Sequence, residues 1–416
     1  MKSKHKILFF SILVLPIVSI LNINSQIPSE LILTEDCEYS INLKYPCKIA
    51  DTKNVKSVSA SDSSFFDADG ENITLNTNSC GNYDLPVKIF NKIPVKNISV
   101  TVTPKKYVIP SGDTIGIKMY TKGLLVVGVS DFVDDTGKNV APAKDADIRE
   151  GDRIVKVNGV EITTSEQFGE LIRQAGKSVV LSVEREAEVL KKEVVPAYSG
   201  EDGSIKLGIW VRDSTAGIGT LTFFEPTDSE FAALGHAICD TDTGEVMTVR
   251  EGSLITCNVL SVVKGKSGEP GELVGGFSNK TIGKVYKNNE MGIYGDMEKC
   301  EEIEFTTAME TATRFQIKEG AAKILADVDN NGVKEYDVEI VKISKSAKVD
   351  NKGIVIKVTD GDLIEKTGGI VQGMSGSPII QNDMLVGAVT HVFVNDPTRG
   401  YGVFVENMLK EAERIK

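Results

Sequence analysis

The chain has 416 residues, of which 41% are hydrophobic and 25% charged; this suits two or three soluble globular domains and excludes a disordered or fibrous class. Its formal charge is −12, and with no long Lys/Arg run it excludes nucleic acid as an expected partner; the acidity reads as solubility. Short Val/Ile/Thr runs between Gly, Asn and Asp clusters, in a chain with 38 glycines, point to β structure.

In chain order, Lys2, Lys4 and Lys6 precede an apolar run from Ile7 to Ile20, the pattern of an export signal. Pro16 interrupts the run, which is short for a membrane span, and no A-x-A site follows. Residues 1–25 are therefore read as an export signal or anchor, with removal and retention both open, and the destination lies outside the cytosol. Six cysteines are present. Three fall early (Cys37, Cys47, Cys80) and three late (Cys239, Cys257, Cys300), so each half has an odd one and at most one bridge per half is expected. No CxxC and no zinc-finger spacing occurs.

Residues 26–104 read as a small β domain of sandwich type. Val87 and Ile89 flank Lys88, and Ile98, Val100 and Val102 share a strand face; Asp67–Asn72 and Asn76–Asn82 supply turns. Residues 105–198 read as a strand (Gly123–Val129), then a turn, strand and Asn158-Gly159 hairpin, then a helix from Ser165 to Ala175. Phe168, Leu171, Ile172 and Ala175 lie on one helical face, Thr164 and Gln167 suit a capping box, and Gly176 suits a C-cap glycine. This segment resembles a PDZ domain of the kind fused to bacterial secreted proteases, an α+β unit. The resemblance is carried by Ile115-Gly116-Ile117, Pro142-Ala143 and E-G-D-R-I-V-K-V-N-G at 150–159. It implies that backbone amides of Ile115, Gly116 and Ile117 hold the carboxylate of a peptide that adds to the sheet edge; the plain alternative is a structural module with an empty groove.

Residues 199–416 are again β-rich, with an alternating strand at Gly217–Phe224 and a closing helix at about Glu406–Arg414. Among three histidines, His5 falls in the signal, leaving His236 and His391. His236 sits in an apolar stretch, where a satisfied core residue is the commoner outcome. Gly373-Met-Ser-Gly-Ser-Pro378 shifts that balance, because it matches the G-x-S-G-x-P pattern of chymotrypsin-like serine proteases. Ser375 then projects from a tight turn as nucleophile, and the amides of Gly373 and Ser375 converge on the oxyanion. Asp360 and Asp362 are both candidates to orient His236, and spacing alone does not choose between them.

Three longer stretches resemble one family, the stage IV sporulation protein B serine peptidases: L-G-H-A-I-C-D-T-D-T-G at 234–244, K-T-G-G-I-V-Q-G-M-S-G-S-P-I-I-Q at 366–381 and G-A-V-T-H-V-F-V-N-D-P-T-R-G-Y-G at 387–402. The resemblance implies the triad His236, Asp360 and Ser375, an acid fifteen residues before the nucleophile selecting Asp360. It implies a mainly β chain whose peptidase domain is a chymotrypsin-like β-barrel, needing no cofactor or metal. It further implies export across the forespore membrane into the intermembrane space, self-cleavage in trans, and cleavage of a membrane-bound regulatory protein that triggers pro-sigma-K processing. Met374 stands where chymotrypsin-like enzymes carry Asp, so activation through a freed N-terminus is not expected, and the closeness of Asp360 to Ser375 leaves the double-barrel topology open.

His391 reads as a substrate-cleft residue, a replacement base, or a half-buried strand residue. Cys239 lies three residues from His236, which on a strand puts the two on opposite faces. Asp327-x-Asp329-x-Asn331-Gly332 imitates a calcium loop, but position twelve is Val338 where a Glu is needed, so a hairpin turn is expected. The rival readings are a PDZ-bearing quality-control protease and a non-enzymatic PDZ scaffold.

Overall fold

A computed structural model describes residues 29–42, 47–49, 66–69, 72–89, 92–186, 188–298, 307–344 and 350–413. The export segment, His5 and Cys300 lie outside the described residues; among the described residues no helix is long and apolar enough to cross a membrane. Cys37, Cys80, Cys239 and Cys257 carry free thiols.

The first unit has two small sheets. One orders Glu30–Thr34, Ile93–Thr103, Gly81–Ile89 and Cys47–Ile49; the other orders Glu38–Asn42, Asn72–Asn76 and Phe66–Asp69. The alternation read from sequence is what buries them: Val87, Ile89, Ile98, Val100 and Val102 share one core with Leu31, Leu33, Tyr39 and Leu75, since residues two apart on a strand face the same way.

Two six-stranded barrels follow. In the first, β1 (Thr114–Val129) pairs with β2 (Ile209–Glu225) and with β3 (Val249–Val263); β3 pairs with β4 (Glu272–Asn289), and Gly292–Met297 and Glu230–Ala233 close the ring back to β2. In the second, Gly320–Ala326, Lys334–Ile343, Ile354–Val358, Asp396–Phe404, β5 (Met384–Phe393) and Pro378–Gln381 close on one another, each pairing antiparallel. Each ring encloses its own apolar core: Ile117, Leu221, Phe231 and Leu254 in the first, Ile324, Ile340, Ile356 and Ile379 in the second. Tyr107–Pro110 pairs with β2 and, through Met309–Thr311, with the second barrel. The double-barrel topology that the sequence left open is thus present.

The PDZ module is inserted into the first barrel. β1 leaves the barrel at about residue 121 and continues to pair within the module, and β2 re-enters from it: Ile209↔Val129 lies in the module and Thr220↔Thr114 in the barrel. Residues 107–121 therefore belong to the peptidase fold, which corrects the boundary expected at 105. The module core joins Leu124, Ile154, Val157, Phe168, Ile172, Leu181 and Leu207. Its helix α1 (Ser165–Arg173) begins as expected, with the Thr164 side chain accepting from the Gln167 amide at 3.2 Å. The reciprocal bond slips by one residue, Gln167 Oε1 accepting from the Thr163 amide. The helix ends at a right-handed Gln174, so Gly176 is not its cap. Helices α2 (Gly361–Thr367) and α3 (Val405–Ala412) complete the second barrel and the seam; α3 packs Val405, Met408 and Leu409 between the barrels beside Phe223 and Tyr294.

Candidate active site

The two barrels meet where β2 and the turn after Glu230–Ala233 face the strand β5 and the loop 373–376. His236 leaves its strand through Leu234 and Gly235, both left-handed, with φ of 69° and 70°. At Gly235 a Cβ would lie 2.9 Å from Thr390 Cγ2 and 3.0 Å from Val403 Cγ1, so only glycine lets the histidine turn press against the second barrel. The imidazole Nδ1 pairs with the Ala237 carbonyl at 2.8 Å. A carbonyl only accepts, so Nδ1 carries the proton and Nε2 keeps its lone pair, the tautomer a general base needs. Burial depresses the His236 pKa, partly offset by this hydrogen bond, which keeps the ring neutral near pH 7.

Sequence reasoning missed Asn288, which braces this turn: its Oδ1 accepts from the Ile238 amide and its Nδ2 donates to the Ile238 and Met247 carbonyls, all at 2.8 Å. No local pattern marks it, since its partners lie far along the chain.

Ser375 sits between two left-handed glycines, Gly373 (φ 96°) and Gly376 (φ 100°). Its hydroxyl donates to the Thr390 carbonyl at 2.8 Å. Within this loop the amides of Met374, Gly376 and Ser377 are all engaged, to Val371, Val389 and Met374 carbonyls. The amides of Gly373 and Ser375 donate to no acceptor among the described residues. These are the two N–H groups that an oxyanion requires.

Asp360 departs from expectation. It is the N-cap of α2, with Oδ1 accepting from the Leu363 amide at 2.9 Å and Oδ2 from the Asp337 amide at 3.3 Å. Asp362 pairs instead with Lys366. Neither carboxylate hydrogen-bonds His236, whose Nδ1 is held by a backbone carbonyl. The physical reason is local: a residue followed directly by a helix satisfies that helix's free amides first.

His391 lies on β5 with its ring 4.9 Å from that of His236, centroid to centroid, tilted by 38°. Its Nδ1 is buried without a partner among the described residues. Burial, with smaller contributions from His236 and Lys352, lowers its pKa to about 4, so it stands neutral beside the base. Cys239 is exposed; partial desolvation of its sulfur, with Glu245 and Glu290 nearby, raises its pKa and disfavours the thiolate. Asp329 is paired with Lys334 and Lys366 at 2.9 and 2.8 Å, which holds its carboxyl well below the usual range. The 327–332 segment is the turn between two paired strands, as expected.

Ile115-Gly116-Ile117 is not a carboxylate loop. All three residues lie mid-strand, paired with β2 on one side and β3 on the other, and Ile115 and Ile117 are buried in the first barrel. With both strand edges occupied, these amides are not free to bind a peptide. The module's open edge is instead the start of β2, where residues 209–212 pair only with β1. Leu207-Gly208-Ile209 leads into that edge, Gly208 having φ 71°, and the N-terminus of α1 closes its far end through Ser165, whose amide and hydroxyl donate to Asp213 at 2.8 and 2.9 Å. This second X-Gly-X triplet was legible in the sequence.

Paired six-stranded barrels with a serine, a neutral histidine and free amides at their seam, and a PDZ insertion in the first, define a chymotrypsin-like serine peptidase. Residues 203–409 match the model of the SpoIVB peptidase S55 family, and residues 140–185 match a PDZ domain model. Among solved structures, the chain is similar to the PDZ domain of the SdrC-like protein from Listeria monocytogenes (21% identity, 22% of this chain and 87% of that chain, TM-score 0.18). It is also similar to the Rv3671c protease from M. tuberculosis in its active form (14% identity, 48% and 74%, TM-score 0.30) and its inactive form (13%, 48% and 84%, TM-score 0.28).

Proposed function

We propose that this peptidase is exported across the forespore membrane, cleaves itself in trans, and cuts a membrane-bound regulatory protein to trigger pro-sigma-K processing during endospore formation. The basic and apolar segment at 2–20 and the three long family stretches support this reading. In the reaction, Ser375 Oγ leaves the Thr390 carbonyl and attacks the peptide carbonyl while His236 Nε2 takes its proton. The amides of Gly373 and Ser375 receive the developing oxyanion. Collapse expels the amine, which takes the proton back from His236, and water then releases the acyl group by the same two steps in reverse. The Ala237 carbonyl holds the tautomer throughout.

The observation that carries this is the pair of acceptor-free amides flanking a seam-facing serine hydroxyl. The test incubates purified wild-type protein and the Ser375→Ala variant with each other and with a membrane-anchored candidate regulator, and sequences the N-termini of the fragments. Wild type should cut the variant at defined bonds, and the variant alone should cut nothing. Fragments from Ser375→Ala alone would remove Ser375 from the chemistry; wild type that degrades a panel of denatured proteins indiscriminately would replace the regulatory role with a quality-control one.

A further inference from the structure

We infer that Thr220, supported by Thr222, is a positioning residue of the reaction: its hydroxyl keeps the nucleophile loop in the one conformation whose Gly373 and Ser375 amides are free for the oxyanion. Both threonines lie on β2 in the first barrel and are fully buried, whereas the loop belongs to the second. Thr220 Oγ1 donates to the Gly373 carbonyl at 2.8 Å, its amide donates to the Ser375 carbonyl at 2.9 Å, and Thr222 Oγ1 donates to the Gly376 carbonyl at 2.8 Å. A trans peptide unit points its N–H opposite to its C=O, so a bond on the carbonyl of one unit fixes the amide of that unit too.

Followed along the loop, every peptide unit is anchored. Gln372 O accepts from Leu273 N at 2.8 Å, turning the Gly373 amide the other way; Met374 O accepts from Ser377 N at 3.0 Å, turning the Ser375 amide likewise. The unit between these two joins Gly373 to Met374. It adjoins a glycine at φ 96°, which carries no Cβ to resist rotation. Rotation of this unit would turn the Gly373 carbonyl out of its bond with Thr220 and set an acceptor beside the two free amides. The Thr220 hydroxyl is the side-chain group that opposes this rotation, and it comes from the opposite barrel.

This inference rests on Ser375 being the nucleophile, and the experiment separates the two. Thr220→Val keeps the side chain's shape and the backbone bond but removes the hydroxyl; Thr220→Ser keeps the hydroxyl. Each is assayed by cleavage of a peptide carrying the mapped self-cleavage bond and by the rate of labelling with a fluorophosphonate probe, with Ser375→Ala as control. Thr220→Val should lose about tenfold to a hundredfold in kcat and in labelling rate, with KM within about twofold, as expected for donors displaced rather than deleted. Thr220→Ser should recover to within about threefold of wild type. Thr220→Cys, a weak donor of similar size, should fall between them and stands in if the valine variant does not fold by circular dichroism. Equal activity of wild type and Thr220→Val, or equal losses in Val and Ser variants, would overturn the inference while leaving Ser375 in place; cleavage by Ser375→Ala would instead overturn the reading beneath it.

Discussion

The Ser375 hydroxyl is hydrogen-bonded to the Thr390 carbonyl at 2.8 Å and not to the imidazole of His236. The register of β5 against its neighbour skips between Val389 and Val392, which leaves the Thr390 carbonyl outside the ladder and available. In the mechanism proposed above, reaction begins with a turn of the serine side chain, from a carbonyl that cannot take its proton to a ring nitrogen that can. Ser375→Ala gives up this one hydrogen bond, so its stability should fall by no more than about 1.5 kcal/mol while turnover is lost; thermal denaturation beside the cleavage assay measures both.

The pH dependence follows from two depressed imidazoles. His236 must be neutral to act as base, and burial lowers its pKa, so the acid limb of kcat/KM should have its midpoint below the ordinary histidine value of about 6.5. His391, at about 4, is also neutral in the fold. Between these values the unfolded chain binds the proton that the folded chain refuses, so the stability contribution is complete above about 6.5 and is lost as pH falls toward 4. Melting temperature measured from pH 7 to 4 should drop, and His391→Gln should drop less steeply.

Asp360 caps α2, and asparagine caps a helix as well as aspartate does. Asp360→Asn should keep both melting temperature and turnover near wild type, whereas Asp360→Ala should lose about 1 kcal/mol of stability. A loss of about 10⁴-fold in turnover by the Asn variant at unchanged melting temperature would reinstate the carboxylate as the acid behind His236.

Ile117 is 2% exposed in the first barrel. Its replacement by Ala should cost about 2–5 kcal/mol through lost burial and the cavity left behind, seen in denaturant titration. Binding of a peptide with a free C-terminus by the folded fraction should be unchanged, because the open edge is at 209–212.

At Gly376 a Cβ would stand 2.0 Å from the Thr220 carbonyl oxygen and 2.6 Å from the Leu234 amide nitrogen, at φ 100°. Gly376→Ala should destabilise by roughly 1–3 kcal/mol from backbone strain alone and should lose cleavage and fluorophosphonate labelling together, since the seam has to part to admit the methyl.

Which parts of this were legible in sequence depends on how local each signal is. Ser375 and its glycines lie in six consecutive residues, and the turn they need is written there. The sandwich core was legible from alternation at 87–89 and 98–102. Asp360 carried two meanings at once, an acid at the family's spacing and a cap before Gly361-Asp-Leu363, and the cap is the bond that forms here. The triplet at 115–117 misled because what decides its role is pairing with strands about a hundred residues later, which no window of sequence contains. Asn288 and Thr220 act on backbone carbonyls and amides of distant segments, and a backbone acceptor leaves no trace in the identity of the residue that owns it.

Because β1 and β2 run unbroken from the inserted module into the barrel, the module has no linker at which it could be cut away. An excision of residues 105–198 would take with it a stave of the barrel and the partner of Thr220, so an inactive truncation would report a broken enzyme rather than a missing regulator. Point changes along the open edge at 209–212 would probe the module while leaving the barrel beneath it whole.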